Sequence, residues 1–128
     1  MIDAEVKSID WSDEYSGDVE SPAMLALSAR IGEKGKEAAD LFQVIACNPA
    51  WIANKISENS GFWPRGMLIV SRIDTEHIEL ALQNLADQFH QSSNWIQFTE
   101  RMNRYLLWEF EDYNDPQGSP EVPSLLLS

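Results

Sequence analysis

The chain has 128 residues, 44% of them hydrophobic, which is enough for one domain with a buried core. Its formal net charge of −12 would repel nucleic acid, because phosphate contacts need lysine and arginine. The single cysteine, Cys47, excludes an internal disulfide, and no apolar run approaches the roughly 18 residues of a membrane span. With an acidic N-terminus that lacks signal-peptide features, these properties predict a cytoplasmic protein.

The hydrophobic pattern predicts the first three elements as strands, two from alternation and one from a continuous apolar run. Residues 2–9 alternate with period two, and only Ile9 interrupts the polar set. A second alternating run covers residues 23–31, and residues 41–47 are apolar on both faces. The turn at residues 31–36 contains two glycines that permit positive φ, so residues 23–47 are predicted to form an antiparallel hairpin.

A short helix and a short strand follow the hairpin. Asn48 has the side chain of an N-cap and Pro49 suits a first helical turn, which predicts a helix over about residues 49–57. The apolar residues 67–70 predict a strand.

The last third of the domain predicts two helices. Asp74 is an expected N-cap for an amphipathic helix over residues 75–91, and helical spacing resumes at Trp95, with an end that the pattern leaves open. The predicted fold is α+β, a three- to four-stranded, mostly antiparallel sheet packed against two C-terminal helices. Residues 1–115 are expected to form this single domain, and residues 116–128 a proline-rich tail.

The sequence lacks familiar catalytic motifs, so no catalytic residue, metal or cofactor is predicted. His77 and His90 stand thirteen positions apart, about 20 Å along a helix, too far to share one metal. Only the carboxylates could support chemistry, which leaves one alternative to a binding protein, a small hydrolase that uses Glu109, Glu111 and Asp112. An acidic regulatory adaptor is a further alternative, which the sequence does not separate from other binding proteins.

Most of the negative charge lies at the two ends of the chain. Residues 1–20 carry a net charge of −6 and residues 105–128 a net charge of −5, whereas the middle carries −1. Such ends would attract a cationic protein, and the aromatic residues among them are typical interface anchors. The predicted partner-binding residues are Asp10, Trp11, Asp13, Glu14, Tyr15, Asp18, Glu109, Glu111, Asp112, Tyr113 and Asp115.

Four sequence features together resemble the immunity protein 8 family, antidotes encoded beside polymorphic toxins of bacteria. They are a first strand ending near Trp11, a glycine turn leading into Phe42-Gln43-Val44, the stretch Cys47-Asn48-Pro49-Ala50-Trp51, and a helix from Trp95 that closes in Trp108-Glu109-Phe110-Glu111-Asp112-Tyr113. The family more often has threonine at the position of Asn48.

The resemblance implies a protein that binds a cognate toxin domain and covers its active site, as in contact-dependent growth inhibition. Many such toxins are nucleases with basic grooves, which an acidic inhibitor could fill. No membrane or nucleic acid is expected as a partner, and the oligomeric state stays open, although an exposed apolar sheet edge would favour a dimer.

Overall fold

The structure is a computed structural model that describes residues 1–12, 22–61 and 63–109. Within these ranges the chain forms five strands and three helices, which confirms the α+β class. The strands are β1 (Ala4–Trp11), β2 (Met24–Glu33), β3 (Asp40–Cys47), β4 (Met67–Ile69) and β5 (Leu107–Trp108). The helices are α1 (Pro49–Asn59), α2 (Thr75–Gln88) and α3 (Trp95–Met102). None of these helices is long and apolar enough to cross a membrane.

One sheet contains all five strands. Its order is β1-β2-β3-β4, and the predicted β2–β3 hairpin is confirmed as an antiparallel pair. β4 runs parallel to the end of β3, at Ile45–Cys47, while β5 runs antiparallel to its beginning, at Phe42 and Gln43. β4 and β5 therefore lie one after the other along the same side of β3, and the sheet is mixed but mostly antiparallel.

A β-bulge in β1 explains why Ile9 interrupts the alternating pattern. Val6 pairs with Ile31 and Ser8 with Arg30, so Lys7 is an extra residue without a partner in β2. The extra residue reverses the phase of the strand, and both Val6 and Ile9 pack against the core. A strand with an unbroken period of two would have turned Ile9 to the opposite face.

The core lies between one face of the sheet and helices α2 and α3. Inward side chains of β2 and β3 meet the apolar stripes of the two helices, and the most deeply buried are Ile31, Phe42, Val44, Ile78, Phe98 and Met102. The predicted amphipathic patterns are thus confirmed. α2 ends at Gln88, earlier than predicted, because the amides of Phe89 and His90 bond to carbonyls three residues back and close the helix with a tighter turn.

Helix α3 ends at Met102, a boundary that the sequence pattern did not predict. The amides of Tyr105 and Leu106 both bond to the Met102 carbonyl, and Leu107 and Trp108 then leave as β5. The Asn103 side chain accepts a hydrogen bond from the Trp108 amide at 2.9 Å. Leu107 and Trp108 therefore pair with the free side of β3, although helical spacing alone would have extended α3 through them.

Helix caps and turn glycines follow local rules with one exception. Asn48 and Asp74 are the N-caps of α1 and α2, as predicted. Gly35 has a φ of +85°, as expected for a turn. Gly32, in contrast, lies within β2 and has no positive φ, so the turn begins later than predicted. Glycine is required there because a Cβ would lie 2.1 Å from the Ala38 carbonyl oxygen.

Candidate partner-binding surface

Three of the predicted partner-binding residues fall within the described part of the chain. Asp10 and Trp11 lie at the end of β1, and Glu109 directly follows β5. The other eight lie outside the described residues, namely Asp13, Glu14, Tyr15, Asp18, Glu111, Asp112, Tyr113 and Asp115.

Asp10 belongs to a polar row on the sheet face opposite α2 and α3. Asp10 pairs with Ser28, and Ser28 pairs with Gln43, so the three side chains stand side by side on neighbouring strands. An open cavity of about 450 Å³ borders this row, lined also by Trp11, Ser12, Ala26, Leu27 and Val44. The cavity is open to solvent, which suits contact with a protein surface better than enclosure of a small substrate.

The carboxylate of Asp10 differs from several other acids of the described residues in having no structural partner among them. Asp74 caps α2, Asp40 accepts a hydrogen bond from the Trp95 indole, and Glu33 pairs with Lys36 at 2.6 Å. Asp10 is exposed and makes no hydrogen bond or salt bridge to a described side chain. Its charge is therefore available to a cationic partner without breaking a contact to any described residue.

Trp11 is partly buried and packs against the hydrophobic core, on the face of the sheet opposite the Asp10 side chain, because neighbouring residues of a strand point to opposite faces. It also borders the open cavity at the end of β1. A residue in this position is held rigidly, so it loses little conformational entropy when a partner covers its exposed part.

The first acidic segment continues from the end of β1 and the second from the end of β5, and these two strands lie at opposite edges of the sheet. The paired residues Ile9, Ala29, Phe42 and Trp108 form one row across β1, β2, β3 and β5. Three strand spacings, about 14 Å, separate the ends of this row. β5 runs antiparallel to β1, so Trp11 and Glu109 leave the row in opposite directions. The structure does not bring the described acids of the two ends together.

The nucleophile and base candidates of the described residues are either inaccessible or exposed with only local partners, since His77 lies 3.7 Å from the Asp74 carboxylate and His90 contacts the Asp87 carbonyl. Cys47 is fully buried, and burial raises the pKa of its thiol to about 11. His77 and His90 are both exposed, and His90 lies beyond the end of α2. No three His, Cys, Asp or Glu side chains of the described residues converge as a metal site. Glu111 and Asp112 lie outside those residues, so the hydrolase hypothesis stays a prediction.

Two surface features escaped the sequence reasoning. Trp63 is 93% exposed between α1 and β4, in a stretch rich in glycine and proline. The signal was present, since a Trp-Pro pair in such a loop has no helix or strand to bury it. The second feature is the outer edge of β1, which depends on the bulge and has no signal in composition.

The family comparison covers the whole of this framework. The model of the immunity protein 8 family matches residues 4–113, which are 110 of the 128 residues. No curated protein and no solved structure shows significant similarity to the chain. The match extends from β1 through β5 and into the acidic segment behind it, and the chain belongs to the immunity protein 8 family.

Proposed function

We propose that this protein binds and neutralises a cognate toxin domain in the cytoplasm of the bacterium that produces both. The observation that carries the proposal is membership of the immunity protein 8 family over residues 4–113. An immunity protein needs a surface complementary to the toxin and no chemistry of its own. The buried, high-pKa Cys47 and the exposed, separated histidines are compatible with such a role.

The acidic surface is the proposed means of recognition. The net charge of −12 would accelerate encounter with a basic toxin, because steered association reaches about 10⁸–10⁹ M⁻¹s⁻¹ against about 10⁵–10⁶ for neutral pairs. If the toxin is a nuclease, the carboxylates would take the place of substrate phosphates in its groove. Asp10 supports this mechanism, since its carboxylate is exposed at the rim of an open cavity and has no partner among the described residues.

The proposed contact residues come from both ends of the chain. Asp10 and Trp11 contribute from the described end of β1, and Glu109 from the end of β5. The acids and tyrosines of the flanking segments complete the set, namely Asp13, Glu14, Tyr15, Asp18, Glu111, Asp112, Tyr113 and Asp115. Trp11 and Glu109 lie near opposite edges and opposite ends of the sheet. If both ends of the chain take part in binding, the toxin therefore contacts more than one edge of the sheet.

The direct test uses the polymorphic toxin domain encoded by the gene immediately upstream. Co-expression of this protein should restore growth to cells that produce the toxin, and the purified pair should bind with a rate of association that falls steeply with salt. An unrelated toxin domain serves as the control and should be neither bound nor neutralised. Absence of a toxin gene, or growth arrest despite co-expression, would contradict the proposed function.

A matched pair of charge reversals tests the acidic surface itself. Asp10→Lys and Glu58→Lys each change the net charge by the same amount at an exposed position, one beside the cavity and one on α1. Asp10→Lys should reduce the association rate more than Glu58→Lys at low salt. A double reversal, Glu111→Lys with Asp112→Lys, changes the net charge twice as much and should lower the logarithm of the rate by more than twice the effect of Glu58→Lys. Equal effects of Asp10→Lys and Glu58→Lys, with only a doubled effect of the double reversal, would mean that only the total charge matters and that the interface lies elsewhere.

A further inference from the structure

The outer edge of β1 is divided into two halves by the bulge at Lys7. In an antiparallel pair, alternate residues direct both backbone groups towards the partner strand, and the residues between them direct theirs outwards. The Lys34 amide bonds to the Asp3 carbonyl, and beyond the bulge the Ser12 amide bonds to the Ala26 carbonyl. Odd residues therefore face β2 before Lys7, and even residues face it afterwards.

The first half of this edge is closed by the segment that contains α2. The Gln83 side chain accepts a hydrogen bond from the Val6 amide and donates one to the Ala4 carbonyl, both at 2.9 Å. The Ile2 amide bonds to the His90 carbonyl at 2.7 Å. A single glutamine thus acts as a short substitute for a neighbouring strand, which protects this part of the edge from pairing.

The second half of the edge has no such cover within the described residues. The outward residues there are Ile9 and Trp11, whose backbone groups make no hydrogen bond on that side to any described residue. Two amides and two carbonyls in an extended strand form a template for one further strand. The exposed carboxylate of Asp10 stands between them, next to the open cavity.

Charge decides which kind of strand fits this edge. A second copy of the chain would place its own residues 1–20, with a net charge of −6, against the same set, and like charges facing each other across strands are destabilising. A basic segment would meet the opposite condition. A lysine or arginine level with Asp10 would lie about 5 Å from it between Cβ atoms on the same face of the sheet.

We propose that the open half of the β1 edge, at Ile9 and Trp11, binds an extended, basic segment of the toxin as an additional strand, with a lysine or arginine opposite Asp10. This inference rests on the proposed function, because it names the part of the toxin that this protein recognises. Backbone pairing supplies affinity with little dependence on side chains, and Asp10 supplies the selection for basic sequence.

Amide hydrogen exchange on the full chain, with and without the toxin domain encoded upstream, tests the edge directly. In the free protein the amides of Ile9 and Trp11 should exchange rapidly, while the Val6 amide, bonded to Gln83, is protected. In the complex the exchange of Ile9 and Trp11 should slow by at least about tenfold, since each gains a backbone acceptor. Protection of both amides in the free protein would show that the chain or a second copy already covers the edge, and would overturn the inference.

A pair of substitutions at one position isolates the backbone hydrogen bond. Ile9→Ala and Ile9→Pro both remove the partly buried side chain, but only Ile9→Pro removes the outward amide, and proline is tolerated on the open side of an edge strand. Ile9→Pro should bind the toxin at least about tenfold more weakly than Ile9→Ala, and equal affinities would overturn the inference. If Ile9→Pro does not fold, the exchange measurement on the unmodified protein decides the question.

The two proposals fail in different ways. If the toxin domain does not bind at all, the proposed function fails and the edge has no assigned partner. If the toxin binds tightly while Ile9 and Trp11 exchange as fast as in the free protein, the function stands and the edge inference is wrong. Binding with protection that persists in Asp10→Lys at full affinity would contradict the basic character assigned to the segment.

Discussion

Asn48→Ala should be one of the more destabilising single changes in this protein, because one buried oxygen serves two segments. The Asn48 side chain is completely buried, and its carbonyl oxygen accepts hydrogen bonds from the amides of Trp51 and Ala23, both at 3.0 Å. The first bond caps α1, and the second fixes the start of β2 against the end of β3.

The expected loss follows from these two contacts. Removal of an N-cap costs about 1 kcal/mol, and a buried amide left without an acceptor, here that of Ala23, costs about 1–3 kcal/mol more. Asn48→Ala should therefore lower the free energy of unfolding by about 2–4 kcal/mol. Asn94→Ala is the matched control, because Asn94 caps α3 through the Gln97 amide at an exposed site, and it should cost only about 1 kcal/mol.

Urea unfolding followed by tryptophan fluorescence measures the difference between the two variants. Asn48→Thr should fall between wild type and Asn48→Ala, because the threonine hydroxyl can cap α1 but is one bond shorter towards Ala23. A difference between Asn48→Ala and Asn94→Ala of less than about 0.5 kcal/mol would refute the reasoning, since the second buried bond would then contribute nothing.

Three further predictions concern stability. Gly32→Ala should lower the free energy of unfolding by more than about 2 kcal/mol in the same assay, because its Cβ would clash with the Ala38 carbonyl oxygen. Gly35→Ala meets no atom within 4 Å and should cost about 1 kcal/mol through its positive φ alone, so equal losses for the two variants would contradict the prediction. Gln83→Ala should cost about 1–2 kcal/mol and make the amides on the first half of the β1 edge exchange faster, and unchanged exchange there would show that the glutamine does not close the edge. The raised pKa of Cys47 means that the thiol ionises near pH 9 only in the unfolded chain. The free energy of unfolding should therefore fall by up to about 1.4 kcal/mol per pH unit between pH 9 and 11, relative to Cys47→Ala. Parallel plots of the free energy of unfolding against pH for the two proteins would refute this prediction.

The local elements were predictable because each depends on neighbours in sequence. Alternation predicted β2, an apolar run predicted β3, helical spacing predicted α2 and α3, and the polar side chains of Asn48 and Asp74 marked helix starts. The order of the four sequence features that resemble the immunity protein 8 family was also sufficient to indicate that family, because motif order does not depend on folding.

The register of β1 and the fate of residues 107–108 could be decided only by the folded chain. The sequence marked Ile9 as an irregularity, but whether it points outwards or forces a bulge depends on the core that β2 offers it. Leu107 and Trp108 fit a helix equally well by spacing, and they form β5 because β3 leaves one side unpaired beside β4.

The candidate site shows the same division. Sequence alone identified Asp10 and Trp11 as partner-binding candidates from charge and aromatic character. Only the tertiary structure determines that the bulge at Lys7 reverses the alternation along β1, that Gln83 covers one half of the edge of this strand, and that no described residue covers the other half. The reason is physical: composition and pattern fix which side chains a strand presents, whereas the direction of its free backbone groups depends on register with a distant partner.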